Sequence, residues 1–103
     1  MISIKIHKSY RIIVAVCDFD LLGKKFEEEI SQGVKQLDLR ESFYKNQEIS
    51  YEKTVELIKS QAKEDATFNI VGKESIKAAL EAGIINKAGI GKINGIPYAL
   101  VLL

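Results

Sequence analysis

Tyr10-Arg11-Ile12-Ile13-Val14-Ala15-Val16-Cys17 is the stretch that decides the fold. From Ile12 onward it is apolar at every position, on both faces of an extended chain. A strand apolar on both faces must be covered on both, so it belongs in the middle of a sheet. The segment before it reads differently: Ile2, Ile4 and Ile6 alternate with Ser3, Lys5 and His7, the period-two pattern of a half-buried strand. The two pair as an N-terminal hairpin. Its turn, at Lys8-Ser9, lacks the Asn-Gly pair that pins hairpin register, so the register stays open.

Downstream, Asp18 to Gly23 breaks the apolar run and reads as a turn or a single helical turn. Phe26 to Ile30 and Val34 to Leu39 form two short strands around Gly33, an excursion from the main sheet. Glu27, Glu28 and Glu29 in a row suit a helix equally well. Arg40 to Glu48 reads as a loop anchored by Phe43 and Tyr44. Ser50 is a natural N-cap, and Tyr51, Val55, Ile58 and Ala62 then recur at helical spacing, with Leu57 widening the stripe. Ala66 to Val71 is a strand ended by Gly72. A second helix runs from about Lys73 to Ala82, with Ile76, Ala79 and Leu80 facing inward and Gly83 as its C-terminal cap.

The chain closes on a second hairpin, Ile90 to Ile93 and Ile96 to Leu103, around Asn94-Gly95. Pro97 limits pairing at the start of the last strand, and Ala99 to Leu103 looks buried on both faces. The expectation is one α+β domain over residues 1–103: two layers, a mixed β-sheet with two helices, and N-terminal and C-terminal β-hairpins.

Composition agrees. The chain has 103 residues, 47% hydrophobic and 28% charged, the proportions of an ordinary globular domain rather than a disordered segment. No apolar run approaches the ~20 residues of a membrane-spanning helix. The alternating N-terminus argues against a signal peptide. The single cysteine, Cys17, excludes an internal disulfide and a cysteine-rich zinc site. The expectation is a cytoplasmic protein without metal or cofactor.

Net charge is only +1, but its distribution is uneven. Lys5, Lys8 and Arg11 in residues 1–16, and Lys87 and Lys92 in residues 82–103, have no acidic neighbour in sequence. All 14 carboxylates lie between Cys17 and Glu81, against 10 bases there. Were the two ends neighbours in one sheet, the fold would have a basic edge and an acidic body.

Four sets of residues invite chemistry. Cys17 would be a nucleophile if Lys24 or the start of the second helix lowered its pKa; the plainer reading is a small core residue. His7, the only histidine, lies on the neighbouring strand, within conceivable reach of Cys17. Asp18 and Asp20 suit a hard cation or paired acid–base work, although Asp-x-Asp after a strand more often caps backbone groups. Gly23-Lys24, Gly72-Lys73 and Gly91-Lys92 each join a permissive backbone to a charge. Only Gly72-Lys73, following Asn69-Ile70-Val71, leads from a strand into a helix N-terminus, where an anion would sit. None of them, nor Gly89, Gly91 and Gly95, meets a phosphate-loop or dinucleotide spacing. Finally, Lys5, His7, Lys8, Arg11, Lys87 and Lys92 would line a basic edge that contacts phosphates, with Tyr10 and Tyr98 offering stacking surfaces.

Taken in order, Ala15-Val16-Cys17-Asp18, Leu21-Leu22-Gly23-Lys24, Asn69-Ile70-Val71-Gly72 and Gly95-Ile96-Pro97-Tyr98-Ala99 resemble the domain of unknown function 424 family of small archaeal proteins. The resemblance covers nearly the whole chain. That family often has histidine where Tyr98 stands, which removes a catalytic histidine there. The resemblance implies a compact cytoplasmic domain with no established activity or mapped site, loosely associated with translation or ribosome-biogenesis genes.

Three expectations follow. The first is a non-enzymatic binding module for RNA or a ribosomal, ribonucleoprotein particle, using Lys5, Lys8, Arg11, Lys87, Lys92 and Tyr98. The second is an enzyme or small-anion site at strand ends, near Cys17, Asp18, Gly23, Lys24, Asn69, Gly72 and Lys73. The third is a protein-interaction or homodimer module, using a sheet edge or the Phe43-Tyr44 loop.

Overall fold

The two N-terminal apolar patterns form β1 (Ile2–Lys8) and β2 (Ile12–Asp18), antiparallel from Ile2 opposite Asp18 to Lys8 opposite Ile12. The structure is a computed structural model and describes residues 1–102. A 3-10 turn (Phe19–Leu21) leads to a separate ribbon of β3 (Lys25–Ile30) and β4 (Gly33–Asp38). Then come α1 (Glu41–Tyr44), β5 (Glu48–Ile49), α2 (Tyr51–Ala62), β6 (Thr67–Val71), α3 (Lys73–Ala82), β7 (Gly91–Ile93) and β8 (Ile96–Val101). Six of the strands make one mixed sheet in the order β5-β1-β2-β6-β8-β7, in which only β2 and β6 are parallel neighbours. The architecture is α+β.

Strand alternation gives the sheet two unlike faces. On one, Ile2, Ile4, Val14, Val16, Phe68, Ile70, Ala99 and Val101 pack against Val55 and Ile58 of α2 and Ile76, Ala78 and Ala79 of α3. Phe68, Ile58 and Ile70 are wholly enclosed there, so truncating any of them to alanine would cost about 2–5 kcal/mol. Local chemistry bounds one end of each helix. The Ser50 hydroxyl accepts the Lys53 N–H at 3.1 Å at the start of α2. Gly83 takes a left-handed φ of 82°, and its N–H closes onto the last turn of α3.

On the second face the registers align residues in rows. Ser3, Cys17, Val71 and Tyr98 share one row; Lys5, Ala15, Asn69 and Leu100 the next; His7, Ile13 and Thr67 the third. The first row is sealed by Leu39 and Tyr44, with Phe26 and Leu37 of the ribbon packed behind. Farther along, Lys5, His7, Ile13 and Asn69 are only half-buried, and Leu100 is 57% exposed.

Several details depart from the sequence reading. The Arg40–Glu48 stretch contains a helical turn and a two-residue strand, so there are three helices among the described residues rather than two. A single turn carries no periodic stripe to read; it forms here because it drives Tyr44 against β2. Over residues 24–39 the two-stranded excursion agrees with the sequence reading, and of the two alternatives for Glu27, Glu28 and Glu29 the strand is the one formed. β8 is not buried on both faces, since Leu100 and Leu102 are exposed; Leu103 lies outside the described residues. The two basic chain ends share the sheet but not an edge, because β2, β6 and β8 separate β1 from β7.

Candidate functional site

The parallel pairing of β2 with β6 sets Cys17 opposite Val71 and brings both carboxyl ends to the N-terminus of α3. This is where an external anion was expected. Asp18 is there instead. Its carboxylate, 7% exposed, accepts the Ser75 N–H at 2.8 Å, the Ser75 hydroxyl at 2.7 Å and the Glu74 N–H at 3.1 Å. A carboxylate with three donors at a helix N-terminus satisfies both the orphan N–H groups and the helix dipole. Gly72 makes room for it: φ is 110°, and a Cβ there would overlap the Asp18 carboxylate.

The remaining residues of the strand-end set are placed as follows. Cys17 is completely buried and donates to the Asp18 carbonyl at 3.3 Å. Burial first, then the nearby charges of Asp18 and Asp20, push its pKa up to about 12, the reverse of what a thiolate nucleophile needs. Asn69 pairs with Ala15 and so faces the second side of the sheet, away from Asp18. His7 sits four residues along β1 from the partner of Cys17, ~13 Å at strand rise, and no Cys-His pair forms. Gly23 and Lys24 splice the 3-10 turn to the end of β4 through Gly23 N–H to Leu39 O at 2.7 Å and Leu39 N–H to Lys24 O at 3.0 Å. Lys73 is exposed. The surface cleft beside it, about 460 Å³, is lined by Asp18, Asp20, Glu48 and Glu74 against Lys73 and the Met1 amine. Its excess of carboxylates disfavours an anion.

The basic set is likewise divided. Lys5 donates to the Ser42 carbonyl at 2.8 Å. His7 stacks on Phe43, with ring centroids 4.7 Å apart, and its Nε2 lies 2.8 Å from the Phe43 carbonyl oxygen. Lys8 and Arg11 project freely at the end of the β1–β2 hairpin, and between them Tyr10 is 99% exposed. Lys87 and Lys92 are at the opposite margin, with Lys92 opposite Pro97 on β7. Four strand spacings separate β1 from β7, ~19 Å, about twice the physiological screening length. The five charges therefore act as two patches.

Tyr98 is not a free stacking surface. Its half-buried ring lies over Gly91, where a Cβ would overlap it, and Lys35 Nζ is 6.0 Å from the ring centroid. Lys35 and the His7–Phe43 stack were not foreseen. The ribbon and α1 carry them onto the second face, and no local pattern encodes that docking.

Fold and site together define a two-layer α+β protein with one sheet face roofed by helices and the other only partly covered. Among the described residues no helix is long and apolar enough to cross a membrane. The chain belongs to the family described as protein of unknown function (DUF424), matched over residues 6–103. It is similar to an uncharacterized conserved protein from Methanopyrus kandleri, known from its crystal structure: 22% identity, TM-score 0.83, covering 97% of this chain and 89% of that one. At that identity the likeness establishes the fold alone. No curated protein matches the sequence.

Proposed function

We propose that this protein is a non-enzymatic, cytoplasmic binding module for RNA or a ribonucleoprotein particle, and that it touches RNA with the tip of the β1–β2 hairpin. The observation that carries this reading is Tyr10, 99% exposed between the free side chains of Lys8 and Arg11. An exposed aromatic ring flanked by two cations suits an unpaired base on a phosphate backbone: the ring stacks, and the charges release counterions. This narrows the basic set. Lys8 and Arg11 make the phosphate contacts, with Tyr10 in the place first given to Tyr98. Lys5 stays with Ser42, and Lys87 and Lys92 serve at most as a second, weaker contact.

The test pairs sedimentation with titration. In lysate from its source, the protein should co-migrate with ribosomal particles at low salt and be released at high salt. With a labelled single-stranded RNA, two phosphate contacts give a log–log salt slope of about −1.4. Tyr10→Ala should weaken binding by about 1–3 kcal/mol, and Lys8→Ala with Arg11→Ala should flatten the slope. Unchanged affinity and slope in both variants would overturn the reading.

A further inference from the structure

The outer side of β1 is an open strand edge. β5 pairs with it at Ile2 and Ser3 and goes no farther. Asn46 Nδ2 donates to the Ile4 carbonyl at 3.2 Å, so Ile4 turns its backbone groups outward. Backbone direction alternates along a strand, so Ile6 and Lys8 also present N–H and C=O outward, and no strand among the described residues takes them. Beside this edge lies a cleft of about 330 Å³, walled by Ile4, Ile6, Ile49 and Leu57 and rimmed by Lys5, Asn46 and Gln47. Edges are commonly guarded by charged side chains, lysine above all, by a proline or by a bulge. β1 has neither proline nor bulge; of its two lysines, Lys5 is drawn to Ser42 on the second face and Lys8 stands only at the far end of the strand.

Unpaired backbone groups beside an apolar cleft fit one kind of ligand, an extended polypeptide whose alternate side chains enter the cleft. Charge narrows the choice. Residues 1–16 hold Lys5, Lys8 and Arg11 and no acid. Two copies of β1 edge to edge would set these cations against one another, which is destabilising. A segment with carboxylates on its alternate positions meets them favourably.

We propose that the β1 edge from Ile4 to Lys8 takes up an extended acidic segment of a partner protein as an added strand. Its aliphatic side chains fill the cleft beside Ile4 and Ile6, and its carboxylates, on the alternate positions, lie beside Lys5 and His7 on the second face. The inference is independent of RNA binding at the hairpin tip.

The probe is a fluorescein-labelled, end-capped decapeptide of alternating valine and glutamate, titrated by anisotropy and by amide chemical shifts of the whole chain. Saturable binding with shifts concentrated at Ile4–Lys8, Ile49 and Leu57 is expected. N-methylating alternate peptide nitrogens should weaken it roughly tenfold or more, as loss of one or two backbone hydrogen bonds requires. Lys5→Gln, which removes the lysine charge on the carboxylate-facing side of β1, should weaken it severalfold, with thermal unfolding checking that the fold survives.

The proposal is overturned by no binding at about 1 mM peptide, undiminished binding of the N-methylated peptide, equal binding of a valine–lysine peptide, or shifts elsewhere. Doubling of mass without peptide, with the same amides shifted, would assign the edge to a second copy. Displacement of the peptide by oligouridylate that shifts the Ile4 and Ile6 amides would assign it to a polyanion. Either outcome overturns the proposal.

Discussion

The two ends of the central strand β2 make opposite uses of their polar groups. At the Asp18 end, the buried polar groups that might have met a ligand meet another part of the chain: carboxylate to helix, thiol to carbonyl, with Gly72 making room for the carboxylate. At the Ile12 end, the hairpin tip projects a tyrosine and two cations, and the neighbouring edge of β1 has no strand. A strand-to-helix junction is thus not by itself an anion site. What decides is whether the chain carries its own carboxylate to that place.

The largest effect should come from the junction. Gly72→Ala forces a side chain into a backbone at φ 110° and into the Asp18 carboxylate, so it should destabilise by about 3 kcal/mol or prevent folding. Urea unfolding measures this. Asp18→Ala in the same background should recover part of the loss, whereas no coupling would mean the two residues do not share the space. Asp18→Ala alone removes three hydrogen bonds and a helix cap and should cost about 2 kcal/mol. If an external anion used this position, phosphate would stabilise the native protein, and it should not.

Next in size is the alkaline limb of stability. Cys17 is raised from its ordinary 9.0, and Tyr44 from 10.0, each to about 12, mainly by burial. Both groups are neutral in the native state and ionise first in the unfolded chain. Their contribution is therefore complete below about pH 9 and is lost as pH rises toward 12. Cys17→Ala should move the onset of that loss from about pH 9 to about pH 10, where Tyr44 takes over. At pH 8 a thiol reagent should label Cys17 only as fast as the protein opens; rapid labelling would break the contrast between a closed and an open end.

Smaller still is Ser50→Ala, which removes the α2 cap and should cost about 1 kcal/mol in thermal or urea unfolding. Smallest is Tyr10→Ala, within about 0.5 kcal/mol of native stability, because a ring that is 99% exposed packs on nothing. A larger loss would show that the tip is structural.

Much of this was legible beforehand because it is local. Period-two alternation gave β1, an apolar run gave β2, Ser50 and Gly83 bounded helices, and Asn94-Gly95 made a hairpin, with both residues at positive φ in the structure. The short turn at Glu41–Tyr44 was not legible, because four residues carry no period.

By itself, then, the sequence determined the identity and order of the principal strands and helices, their inward faces, and the separation of a basic pair of ends from an acidic middle. Which residues meet across the sheet was decided only in three dimensions. Strand order placed Lys8 and Lys92 on opposite margins, and parallel pairing delivered Asp18 to a helix 57 residues away from it in the chain. The end of β5 at Ser3 left one edge free. The physical reason is range: capping, turn and periodicity energies act over a few residues, whereas burial and charge screening depend on distances that only the packed sheet defines.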